Sequence, residues 1–158
     1  MMARASDGAN VRFPPPVVYL AGLAIGIAAG RIFNLPSLGL GIVMRELLGG
    51  FLVLAGIAVS FSAVRLFLRS RTAIIPFKSA SSLVTSGMYR WTRNPMYLGL
   101  ALAYAGVAIL LDSLPAMILL PLVLAAIQVG VIAKEEAYLE RAFGDGYSAY
   151  KQTVRRWI

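Results

Sequence analysis

The chain has 158 residues, of which 59% are hydrophobic and only 14% charged, against about 25% charged in an ordinary soluble domain. It contains no cysteine and no histidine, which excludes a disulfide framework and a thiolate metal centre and argues against zinc hydrolases and Ser-His-Asp enzymes. The formal net charge is +8, but the positive residues fall in the connections between apolar blocks, the pattern of a membrane protein rather than of a nucleic-acid binder.

Four apolar blocks follow one another, each near the roughly 20 residues that cross a bilayer as a helix. The first, about Val17 to Phe33, comes after Arg4, Arg12 and Pro14-Pro15-Pro16. It is read as an uncleaved anchor, because three more blocks follow. Gly22, Gly26 and Gly30 recur every fourth residue on one face, which predicts a close helix–helix contact and offers a surface for a homo-oligomer. The second block runs from about Leu47 to Leu68, the short third from about Pro95 to Leu111, and the fourth from about Leu114 to Ala133. Asp112-Ser113 makes a tight turn, so blocks three and four form an antiparallel hairpin. Pro115 suits a first helical turn, whereas Pro121 should kink its helix.

Lys and Arg set the orientation. The connection between blocks two and three carries Arg65, Arg69, Arg71, Lys78, Arg90 and Arg93, the C-terminal segment carries five more, and the turn at Asp112-Ser113 none. Both termini and the long connection therefore belong in the cytoplasm, at the plasma (inner) membrane if the chain is bacterial. The expected fold is all-α: a membrane bundle of about four transmembrane helices with a C-terminal amphipathic cytoplasmic helix. Residues 1–158 form one domain, with 1–68 an N-terminal helix pair and 69–158 the portion that carries the chemistry.

The long connection ends in Arg93-Asn94-Pro95-Met96-Tyr97-Leu98-Gly99. Asn is a favoured N-cap and Pro a favoured first helical residue, so Asn94-Pro95 starts the third helix. A helix start with an arginine beside it also attracts a carboxylate, and Tyr89, Trp91 and Tyr97 are placed to face a cation. The second polar motif is Lys134-Glu135-Glu136. Gln128, Val131, Glu135, Leu139 and Phe143 share one helical stripe, which turns Glu135 inward and sets Glu136 about 100° around the helix. An inward acid at a membrane boundary is a functional candidate; its plain alternative is an ion pair with Arg90 or Arg93. Gly144 and Gly146 break the helix after Phe143. Beyond them Tyr147, Tyr150, Val154 and Trp157 make an amphipathic stretch suited to lie on the membrane surface or to close over a site.

SSLVTSGMYRWTRNPMYLG, followed about 40 residues later by KEEAYLERAFGDGYSAYKQTVRRWI, resembles the isoprenylcysteine carboxyl methyltransferase family and its small bacterial relatives, with phospholipid N-methyltransferases as more distant kin. The likeness covers about Arg71 to Ile158. It implies S-adenosylmethionine as methyl donor, held in a membrane-embedded pocket rather than on a Rossmann sheet, in keeping with the lack of a Gly-x-Gly-x-x-Gly motif. By that likeness Ser81, Ser82, Leu83 and Val84 line the cofactor, Tyr89, Asn94, Pro95, Met96 and Tyr97 contact it, Glu135 accepts hydrogen bonds from it, and Glu136 braces the site. Arg93 is the candidate for fixing an anionic group. The implied partners are the lipid bilayer and a lipophilic or small-molecule methyl acceptor. Two positions depart from the family: Asn94 stands where the eukaryotic enzymes have histidine, and Val131 where they have a substrate-binding arginine, which argues against prenylcysteine as acceptor. A phospholipid N-methyltransferase and a non-catalytic membrane scaffold on the same fold are the competing expectations.

Overall fold

The computed structural model describes residues 13–69 and 83–158, and every regular element among them is helical. Helix α1 is Pro15–Ile32, α2 is Ile42–Arg69, α3 is Pro95–Leu110 and α4 is Leu114–Ile127. A π-helical turn, Gln128–Ile132, joins α4 to α5, Ala133–Phe143, without interruption. Helix α6 is Asp145–Thr153, and a short 3₁₀ turn, Gly87–Arg90, precedes α3. Three of these stretches are long and apolar enough to cross a membrane: α1, α2 and the continuous Leu114–Phe143. Helix α3 is apolar but has only 16 residues, about 24 Å at 1.5 Å per residue, short of a roughly 30 Å hydrocarbon core. The four apolar blocks are thus four helices, of which three meet the length for a full span.

Lipid-facing surface explains why so apolar a chain leaves its large side chains bare. Leu20, Phe51, Leu54, Phe61 and Leu122 are each about two-thirds exposed, a state suited to contact with acyl chains and not with water. Helix α3, by contrast, buries Tyr97, Ala101, Tyr104, Ala108 and Ile109 and sits at the centre of the bundle. It runs antiparallel to α2 with backbones nearly touching. A Cβ added at Gly49 would lie 2.8 Å from the Gly106 carbonyl oxygen, and one added at Gly56 would lie 2.5 Å from that of Gly99. The glycines are spaced seven apart on each helix, so two turns of each carry matching notches, and packing without side chains lets the backbones approach.

Helix α1 packs antiparallel on α4 through the face predicted from its glycines. A Cβ at Gly26 would lie 2.5 Å from Ala116 Cα, and Gly30 abuts Pro115. The expected close contact is therefore present but is made inside the chain, and the Gly22/Gly26/Gly30 face is not available to a second copy. Tyr19 on α1 reaches across to donate to the Tyr97 carbonyl at 3.0 Å, and the Tyr104 hydroxyl donates to the Ala116 carbonyl at 2.9 Å. The α3–α4 hairpin turns through Asp112 at φ 53, with the Ser113 hydroxyl oxygen capping α4 through the Ala116 N–H. The change of helical pitch in the last span falls not at Pro121, which α4 accommodates, but at Gln128–Ile132.

Candidate functional site

The bundle end that gathers the start of α3, the 3₁₀ turn, α5 and the C-terminal residues is the polar one. The π turn decides its geometry. Ile127 and Ile132 are both fully buried, five residues apart, and Glu136 follows four later at 7% exposure. In an uninterrupted α-helix the inward position after Ile127 and Val131 would be Glu135, as the sequence stripe suggested. One extra residue in the turn hands that slot to Glu136 and leaves Glu135 half-buried to one side.

Each glutamate then has its own partners. Glu136 sits between two arginines: Arg93 Nη2 is 3.3 Å from Oε1, and Arg156 donates from Nε at 3.0 Å and from Nη2 at 2.6 Å. The ion pair that was the plain alternative for Glu135 is made by Glu136, with Arg93 and Arg156 and not with Arg90. Hydrogen bonding to Glu136 raises the Arg156 pKa further above its already high value. Glu135 Oε1 accepts the Tyr97 hydroxyl at 2.6 Å, and no described residue donates to its other oxygen. The Arg93 side chain is only 9% exposed, yet its Nε and Nη1 have no hydrogen-bond partner among the described residues. Unsatisfied buried donors on a cation are costly, and these two lie on different edges of the guanidinium, either side of the Nη2 that faces Glu136.

The C-terminal segment closes this end. The amphipathic stretch turns its aromatic side into the protein: Tyr147 and Tyr150 of α6 are buried against Ala63, Val84 and Tyr89. The buried Tyr150 hydroxyl has its pKa pushed up to about 12 by burial and donates to the Tyr89 carbonyl at 2.7 Å. The helix ends at Thr153, so Val154 and Trp157 belong to an extended strap. The Arg93 N–H donates to the Arg155 carbonyl at 3.0 Å, and the Arg156 carbonyl accepts from Asn94 Nδ2 at 2.9 Å and Thr92 Oγ1 at 3.1 Å. Trp157 Nε1 donates to Gln128 Oε1 at 2.9 Å, on the π turn itself.

The positions singled out from sequence divide accordingly. Asn94 precedes α3 as expected, but its side chain makes no cap; it pins the strap instead. Pro95 is fully buried at the first helical turn, and Met96 is half-buried with its carbonyl accepting the Ser60 hydroxyl at 3.4 Å. Tyr97 touches Glu135. Tyr89 and Val84 are buried and Leu83 packs beside them, while Trp91 is 78% exposed, apart from the buried Tyr89 and Tyr97. Val131 is 4% exposed in the core. Ser81 and Ser82 lie outside the described residues. The sequence pattern did not single out Arg156 and Thr92; the signal that could have found Arg156 was a second basic residue beside Arg155 with two acids twenty residues before it and a single Arg93 to pair them.

A family model described as phospholipid methyltransferase matches residues 44–146, more than half of the chain. Over 72 residues the chain is 39% identical to the protein-S-isoprenylcysteine O-methyltransferase of Schizosaccharomyces pombe, a stretch that makes up 46% of this chain and 30% of that protein. Over 68 residues it is 44% identical to an uncharacterized protein of Haemophilus influenzae, covering 43% of this chain and 82% of the other. The chain thus spans less than a third of the length of its Schizosaccharomyces relative. The family match takes in Arg93, Tyr97, Glu135 and Glu136 together with the helices that bring them to one end of the bundle, and this chain is a membrane protein of the phospholipid methyltransferase family.

Proposed function

We propose that the chain is an S-adenosylmethionine-dependent methyltransferase whose acceptor is lipophilic and enters from the bilayer. The observation that carries this reading is the Arg93 guanidinium, buried against Glu136 with two donors unsatisfied among the described residues, beside a Glu135 with one oxygen to which no described residue donates. That donor and acceptor set fits the amino-acid end of such a cofactor: Arg93 for its carboxylate and Glu135 for its ammonium group. Tyr97 holds Glu135 in place, and Glu136, itself held by Arg156, fixes the Arg93 guanidinium through its Nη2. When bound, the sulfonium supplies an already activated methyl group. The chain's task is then to align acceptor and donor and to exclude water, and the strap from Val154 to Ile158 with the buried Tyr147 and Tyr150 provides the cover.

Orientation with both termini in the cytoplasm agrees with the clustering of Lys and Arg at this end. Among acceptors, phospholipid amines are favoured by the family match and prenylcysteine is disfavoured by the apolar Val131. The test is transfer of labelled methyl groups into membranes expressing the protein, with the lipids then separated. Labelled methylated ethanolamine lipids support N-methylation; label in another lipophilic fraction redirects the acceptor. Arg93→Ala and Glu135→Ala should each abolish transfer while the protein stays helical in detergent, and full activity in both would refute the site.

A further inference from the structure

A second, separate feature lies on the outer side of the 3₁₀ turn. A groove of about 530 Å³ runs between the last turns of α2 and this turn. It is lined by the apolar Phe61 and Leu66, by Arg65, Arg69 and Arg90, and by Trp91. Arg65 and Arg69 are four apart and so occupy one face of α2. No acidic residue lines the groove, and none of the three arginines is paired with a carboxylate among the described residues. Gly87 has φ +59, a conformation that favours glycine, and a Cβ there would lie 2.5 Å from Leu66 Cδ1, so the turn packs directly on α2 beside the groove.

The turn therefore has two faces with two chemistries. Tyr89 points inward, 5% exposed, and its carbonyl holds Tyr150; Arg90 and Trp91 point outward. No groove residue belongs to the Arg93–Glu136–Arg156 or Tyr97–Glu135 contacts. Along α2 the groove begins at lipid-exposed Phe61 and ends at Arg69, where the spanning helix ends. Arginine and tryptophan at such a level are placed among lipid head groups. Three cations without an anion match a net-negative head group, and the apolar lining continuous with the lipid face matches its acyl chain. A free phosphate would leave Phe61 uncovered, and a zwitterionic lipid would leave the charge unbalanced.

We propose that this groove holds an anionic phospholipid, with the phosphate at Arg65, Arg69 and Arg90 and a chain along Phe61 and Leu66. The chain has two tryptophans, so Trp157→Phe leaves Trp91 as the sole reporter at the groove. The variant is placed in phosphatidylcholine vesicles containing a minor fraction of phosphatidylglycerol, and one lipid or the other carries brominated chains. At equal mole fraction, brominated phosphatidylglycerol should quench Trp91 at least about two-fold more than brominated phosphatidylcholine. Arg65→Gln/Arg69→Gln/Arg90→Gln should remove the excess, each single substitution should reduce it, and Arg31→Gln at the opposite end of the bundle should leave it unchanged. Equal quenching by the two lipids would overturn the proposal. An excess that survives the triple substitution would overturn it too, reducing the effect to general surface charge. Should the triple variant lose helix, the single Arg90→Gln variant on the exposed turn decides in its place. The readout needs no turnover, so it stands or falls apart from the methyltransferase reading.

Discussion

At the end of the bundle where α2 begins and the α3–α4 hairpin turns, Arg45 lies 3.4 Å from Asp112, both side chains a little over one-fifth exposed. At the opposite end Arg93 and Arg156 share Glu136, and the Arg93 and Glu136 side chains are each 9% exposed. Both ends leave buried polar atoms unpaired, and the difference lies in which ones. At the hairpin end they are Arg45 Nε and Asp112 Oδ1, one donor and one acceptor on a neutral pair. At the other end they are two donors on the same guanidinium, in a group of two cations and one anion. The first is a clasp between the start of α2 and the α3–α4 turn. The second has a surplus of positive charge and of donors that no described residue uses, which is what a site for an anionic group requires.

The widest gap between the ends should appear on removing one carboxylate from each. Glu136→Gln strands Arg93 in a buried place and should cost about 3–5 kcal/mol, whereas Asp112→Asn, at a partly exposed pair, should cost about 0–1 kcal/mol. Thermal unfolding in detergent reads both, and similar losses would erase the distinction. A smaller contrast lies in the glycines that lead into the strap. Gly144 has φ +52 and ψ −125, so Gly144→Ala should cost about 1–3 kcal/mol. Gly146 lies within α6 with open space at its Cβ position, and Gly146→Ala should stabilise by up to about 1 kcal/mol. Smallest is Asn94→Ala, which removes one tie to the Arg156 carbonyl while the Thr92 tie remains. It should cost about 1 kcal/mol and show as faster hydrogen exchange in residues 154–158, with the hairpin end unchanged.

Much of this was readable from the chain because the signals were local. Asn94-Pro95 and Ser113 ahead of Pro115 mark helix starts, Gly144 marks a stop, and the four-residue glycine spacing on α1 announces a close contact. What could not be read depended on partners. The α1 glycines fit either a second copy or another helix of the same chain, and only the fold assigns them to α4. Gly49, Gly56, Gly99 and Gly106 carry no message until α2 and α3 are laid side by side. The two glutamates were read one place out of register, because a stripe counted at 3.6 residues per turn cannot foresee the π turn at Gln128–Ile132. The strap was hidden for a similar reason: Val154 and Trp157 continue the helical spacing of Tyr147 and Tyr150, but the chain leaves the helix at Thr153 to meet Asn94 and Gln128.

The central claim is that the Arg93–Glu136–Arg156 group and Glu135 together hold the amino-acid end of S-adenosylmethionine. The most direct test is calorimetric titration of S-adenosylhomocysteine into the purified protein, in detergent and in lipid, beside Glu135→Ala. The account predicts saturable binding to the native chain and a loss of roughly ten-fold or more in affinity on removing the Glu135 carboxylate, the scale of a hydrogen bond to a charged group. Absence of binding to well-folded protein in both media, or binding that Glu135→Ala leaves untouched, would contradict it.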